Sequence, residues 1–137
     1  MSAGYSTTPL AKKLGIKNGF TCMFYNKPKN YFELFSDFPS DVKIYKRISK
    51  NIKVDFIHLF LTSFSDLLKI APKYKEALLR TGILWVSWPK GGSSITTNLK
   101  RDLIRDYLLK LGLVDIKVVA IDENWSGLKF VYRIKDR

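Results

Sequence analysis

The sequence predicts a three-layer α/β domain whose sheet is mostly parallel and closes on an antiparallel hairpin. Three observations predict it. Near-continuous apolar runs recur at residues 19–25, 54–61 and 82–88, as expected of strands covered on both faces. Stretches with apolar residues at helical spacing lie between and after them, and strands alternating with helices imply right-handed parallel crossovers. The final two runs, residues 115–121 and 128–134, are joined by residues 122–127 alone, which is long enough only for an antiparallel hairpin.

Each element has its own local signal. Residues 8–15 read as a short helix, with Thr8 as cap, Pro9 at the first helical position and Gly15 at the end. After the first strand, Asn26, Lys27 and Pro28 break the chain. Residues 30–35 then form a short helix with Tyr31, Phe32, Leu34 and Phe35 inward. Residues 42–45 alternate and read as a strand near an edge. Residues 64–80 are helical with an interruption at Pro72. Pro89 stops the strand at 82–88, a Gly/Ser loop follows, and residues 97–111 carry apolar side chains at helical spacing up to Gly112.

Composition sets the class. The chain has 137 residues, 46% of them hydrophobic and 26% charged, which is one ordinary globular domain able to bury about 68% of its unfolded surface. A single cysteine, Cys22, excludes an internal disulfide and a cysteine-based zinc site. It lies in an apolar run, where a buried, inert thiol is expected. Residues 1–8 contain no apolar leader segment and no apolar stretch approaches a membrane span, so a cytoplasmic protein without a membrane role is expected. The net charge of +12 is compatible with nucleic-acid binding. The lysines are nevertheless scattered and outnumber arginine 18 to 6, whereas arginine suits bidentate phosphate or base recognition. A solvated lysine surface is the favoured reading.

Several segments resemble an uncharacterised bacterial family, one of the domain-of-unknown-function families. They are Tyr5-Ser6-Thr7-Thr8-Pro9-Leu10 with Lys13-Leu14-Gly15-Ile16, then Asp55-Phe56-Ile57-His58-Leu59-Phe60. Leu84-Trp85-Val86-Ser87-Trp88-Pro89-Lys90, Gly112-Leu113-Val114-Asp115-Ile116-Lys117 and Trp125-Ser126-Gly127-Leu128-Lys129-Phe130 complete them. Thr7 stands where the family pattern has glycine. The family's function is not established, so the resemblance implies a fold and no chemistry. The element order also resembles a shortened class I methyltransferase-like, Rossmann-like fold. That architecture implies a glycine-rich turn after the first strand and an acidic residue after the second, both for the methyl donor. Here the turn is Tyr25-Asn26-Lys27-Pro28-Lys29-Asn30 and the second segment is Ile44-Tyr45-Lys46-Arg47. Both features are missing, and no cofactor is expected.

In an open parallel sheet, ligands bind beyond the carboxyl ends of the strands. That rule gathers Lys27, Thr62, Ser63, Trp88, Lys90, Gly91, Gly92, Ser93, Asp122, Trp125 and Ser126 as candidate ligand-binding residues. The loop from Lys90 to Ser94 combines a cation, free backbone and hydroxyls ahead of a helix, a combination able to hold an anion. Its spacing is not that of a P-loop. Trp88 and Trp125 are placed near one edge with Asp122 and Glu123, where indole rings and a carboxylate suit a nucleotide-like ligand, although packing at the rim is the favoured role. His58, the only histidine, reads as a hydrogen-bonded core residue, and no metal site or catalytic triad is apparent.

The expected function is therefore a non-catalytic, methyltransferase-like domain that binds a small anionic ligand or a protein partner. One alternative is a divergent S-adenosylmethionine-dependent methyltransferase, which requires Lys27, Lys90, Asp122 and Trp125 to converge on one pocket. The other is a basic nucleic-acid-binding protein.

Overall fold

A computed structural model describes residues 8–137. The readings that rest on residues 1–7, the absent leader and the Tyr5-Ser6-Thr7 part of the family resemblance, lie outside them. Six strands form one sheet in the order β2-β1-β3-β4-β6-β5. They are β1 (Thr21–Tyr25), β2 (Lys43–Ile44), β3 (Val54–Phe60), β4 (Leu78–Pro89), β5 (Leu113–Ala120) and β6 (Trp125–Tyr132). The first four run parallel, whereas β6 pairs antiparallel with both β4 and β5. No helix among the described residues is long and apolar enough to cross a membrane.

Strand periodicity sorts the core into two layers. On one face, Met23, Ile57, Leu59, Leu84, Val86 and Leu128 pack under helices α2 (Phe64–Lys75) and α3 (Arg101–Lys110). On the other, Cys22, Phe56, Phe60 and Trp85 lie under helix α1 (Leu10–Leu14) and a 3₁₀ turn at Phe32–Leu34. This second layer is aromatic: Tyr31 makes edge or tilted contacts with Phe24, Phe35, His58 and Phe60.

The segments Leu84–Lys90 and Trp125–Phe130 are explained by this layering. Trp85 lies flat enough over β6 that a side chain at Gly127 would meet its ring at 3.1 Å. Trp85 Nε1 also donates to the Leu14 carbonyl at 2.8 Å, which ties α1 to the sheet. Asp55, in the third segment, binds the start of β1: its Oδ2 accepts from Thr21 N at 2.9 Å and from Thr21 Oγ1 at 3.1 Å.

Local sequence reading differs from the structure at several element ends, and at α1, α2 and α3 a distant group competes. The cap of α1 comes from Asp37, whose carboxylate accepts from Ala11 N and Lys12 N, with Pro9 at the N-cap. The expected helix at 30–35 is a single 3₁₀ turn that buries Tyr31 but leaves Phe32 40% exposed. Helix α2 stops at Lys75 instead of reaching Arg80, because Leu78 pairs with Val54 and starts β4. Strand β6 starts at Trp125, three residues before the expected 128. Helix α3 starts at Arg101, not Thr97. Thr97 Oγ1 donates to the Thr62 carbonyl at 2.6 Å and accepts from Leu99 N at 3.0 Å, so 97–100 stay extended.

Pro72 does not interrupt α2. Proline lacks the N–H that would bond the carbonyl four residues back, and here Tyr107 Oη of α3 donates to that carbonyl, Leu68 O, at 3.3 Å.

Candidate functional site at the carboxyl edge of the sheet

The topology brings the ends of β1, β3 and β4 and the β5–β6 turn to one edge, so all eleven sequence-predicted residues lie there. They do not converge on one pocket. The crevice between β1 and β3, where the strand order reverses, is the expected ligand seat. Asn26, in the left-handed region at φ 54°, spans it and donates from Nδ2 to the Phe60 carbonyl at 3.4 Å. Lys27 stands 5.4 Å from the centre of the Phe32 ring.

Three of the other predicted residues carry structural contacts. Thr62 accepts the Thr97 hydroxyl through its carbonyl. Ser63 is the N-cap of α2, its Oγ accepting from Asp66 N at 3.2 Å. The Asp122 carboxylate closes the β5–β6 turn by accepting from Asn124 N at 2.8 Å and Trp125 N at 2.9 Å.

The two tryptophans share the edge but not a face. Trp88 packs in the α2/α3 layer, whereas Trp125 packs in the aromatic layer with its ring edge-on to Phe60 at 5.0 Å. Both are 8% exposed. Asp122 lines a cavity of about 420 Å³ on the aromatic face with Lys13, Glu33, Phe35 and Glu123. Lys90 lines a different one. The convergence of Lys27, Lys90, Asp122 and Trp125 that the methyltransferase alternative requires is therefore not present: Asp122 and Lys90 line separate cavities.

That second cavity, of about 520 Å³, lies between the end of β4 and the start of α3. Its lining includes Trp88, Lys90, Gly91 and Ser93 from the predicted set, with Lys100 and Arg101 added. Its wall is built by a clasp between two loops. Lys90 N donates to the Asn124 carbonyl at 2.8 Å, and Ser93 Oγ donates to Asn124 Oδ1 at 3.1 Å while accepting from Ile95 N. Gly92 stands in open space beside it, and Ser126 pairs with Trp88 across the strands. The first turn of α3 has no side-chain cap, so its positive dipole end borders the cavity. Lys90, Lys100 and Arg101 thus line this cavity beside the amino end of α3, where Arg101 pairs with Asp102 at 3.3 Å. Lys100 and Arg101 are absent from the predicted set because the helix was expected to begin at Thr97. A Thr-x-Leu turn holding its own backbone was the available signal.

Among the described residues no buried side-chain polar atom lacks a hydrogen-bond partner. His58 is fully buried, with Nδ1 2.9 Å from the Tyr31 hydroxyl and Nε2 2.7 Å from Ser87 Oγ. Burial lowers its pKa to about 3, so the ring is neutral, with one nitrogen donating and the other accepting. Burial, with Asp55 nearby, pushes the Cys22 thiol up to about 12. A thiol-reactive disulfide reagent is expected to label Cys22 only after denaturant is added; stoichiometric labelling of the folded protein within minutes would refute this. Among the described residues no group of three or more His, Cys, Asp or Glu side chains could hold a metal ion.

S-Adenosylmethionine in its usual seat does not fit these residues. The β1 turn offers no glycine and is bridged by Asn26, and β2 is followed by Lys46 and Arg47 where ribose hydroxyls call for a carboxylate.

No protein-family model and no curated protein matches the chain. Solved structures do. The chain is similar to a SAM-dependent methyltransferase from Aquifex aeolicus at a TM-score of 0.61 and 13% identity, over 88% of this chain and 86% of that one. It is similar to the Bacillus subtilis M1A22 tRNA methyltransferase TrmK at 0.57 and 16%, over 99% and 68%. DhpI, solved with SAH, matches at 0.57 and 6%, over 83% and 77%. At these identities the likeness concerns the fold alone: the chain has a Rossmann-like class I methyltransferase fold.

Proposed function

We propose that this protein binds an anionic, nucleotide-like small molecule in the cavity between β4 and α3. The observation that carries the reading is the convergence of Lys90, Lys100 and Arg101 on that cavity beside the uncapped start of α3. Backbone N–H groups at a helix start and nearby cations together favour phosphate. The cavity's volume is in the range of small-molecule sites.

A second reading is a divergent S-adenosylmethionine-dependent methyltransferase. The fold likeness to methyltransferases supports it over a domain with no catalytic role. Because the usual donor seat is bridged, this reading requires the donor to bind elsewhere on the edge.

Thermal unfolding with ATP, S-adenosylmethionine and S-adenosylhomocysteine separates the two. A ligand at a hundredfold excess over its Kd stabilises by about 2.7 kcal/mol, several degrees for a chain of this size. ATP is expected to raise Tm in the wild type and not in a Lys90→Gln/Lys100→Gln/Arg101→Gln variant. A shift confined to the methyl-donor pair and kept by the variant favours the second reading. No shift with any of the three removes both.

A further inference from the structure

We propose that a second basic site, on the aromatic face near the amino-terminal end of β4, binds the phosphate backbone of a nucleic acid. Lys117 on β5 and Lys129 on β6 are directly opposite each other in the antiparallel register. They project to the same face as Trp85, which pairs with Lys129 on its other side. Like charges placed opposite each other across strands are unfavourable, and neither lysine forms an ion pair among the described residues. The three ion pairs among the described residues all belong to Arg101 and Arg105. Lys17 completes the group from the loop after α1. Partial burial, then the charges of Lys117 and Lys17, lower the Lys129 pKa.

Lys129 borders a cavity of about 330 Å³ lined also by Arg80, Thr81, Gly82 and Arg137 among others, with no Asp or Glu in its lining. Arg80 is held in place by donating to the Asp136 carbonyl at 3.1 Å and lying over the Tyr132 ring at 4.9 Å. Arg137 donates from Nε to the Tyr132 carbonyl at 2.9 Å. Lys17, Lys117 and Lys129 thus come together from three places in the chain, with Arg80 and Arg137 beside Lys129 at the cavity.

Lysine point charges suit phosphates and not base edges. Strand-paired repulsion is relieved when a phosphate neutralises both ammonium groups, and the released counterions supply the affinity. The site is separate from the Lys90, Lys100 and Arg101 cavity, so its success or failure does not depend on that reading.

The experiment is fluorescence anisotropy with a labelled 20-nucleotide single-stranded RNA, titrated from 50 to 200 mM salt. Three variants are compared with the wild type. Lys17→Gln/Lys117→Gln/Lys129→Gln is expected to bind weakly. Its log–log salt slope should be shallower by roughly 2, at about 0.7 per lost single-strand phosphate contact. Lys69→Gln/Lys73→Gln/Lys110→Gln removes the same charge from exposed positions on α2 and α3 and is expected to bind as the wild type does. Arg80→Gln/Arg137→Gln tests the cavity, and partial weakening is expected. Equal loss in both lysine variants means a diffuse charge effect and overturns the site. So does undiminished binding by the first variant, absence of binding by the wild type, or complete competition by inorganic pyrophosphate at concentrations matched in phosphate.

Discussion

Replacing Trp85 with alanine is expected to destabilise the protein by about 3–5 kcal/mol, the usual range for a large buried aromatic residue. Trp85 is fully buried and central on its face. Its loss opens a void over Gly127, where β6 has no side chain with which to fill it. It also leaves the Leu14 carbonyl without its indole donor, and an orphaned buried acceptor costs about 1–3 kcal/mol. Trp85→Phe separates the two contributions, since it keeps most of the volume and removes the N–H. Urea unfolding followed by circular dichroism measures both. Domains of this kind have only about 5–15 kcal/mol in total, so the alanine variant is expected to be partly unfolded at 37 °C. A loss under 1 kcal/mol would mean that α1 is not held by this residue.

The second large effect is a pH dependence that a single residue controls. His58 is buried and neutral in the folded protein with a pKa near 3, against about 6.5 in an unfolded chain. Between those values the unfolded state binds the proton and the folded state does not. Its contribution to stability is therefore complete above pH 6.5 and is lost progressively as the pH falls toward 3. The slope in that window is about 1.4 kcal/mol per pH unit. Between pH 6.5 and 5, ordinary carboxylates stay ionised and this is the only histidine in the chain, so the loss there, about 2 kcal/mol, reports His58. Equilibrium unfolding in urea at pH 7, 6 and 5 gives the slope. His58→Gln, which retains hydrogen-bonding groups for Tyr31 and Ser87, is expected to flatten it. A wild-type curve flat over this window would show that the ring is not neutral and buried as described.

The sequence alone was enough to determine the class of fold. Apolar runs at β1, β3 and β4 are covered on both faces, and burial on both sides requires the continuous hydrophobicity that is visible in residues 54–60. The hairpin was legible for a similar reason, since a short connection permits only antiparallel pairing. The tertiary structure decided where elements begin and end, because a distant group competed with local propensity: Asp37 at α1, Val54 at the start of β4, Thr62 before α3. It also decided which edge residues share a cavity. The rule that ligands sit beyond strand ends gathered eleven residues along one edge, but period-two alternation placed Trp88 and Trp125 on opposite faces. Lys100 and Arg101 entered the site only because Thr97 held the chain extended for one further turn. Burial and pairing direction are recorded in local composition, whereas convergence depends on strand faces and loop contacts that exist only once the sheet has formed.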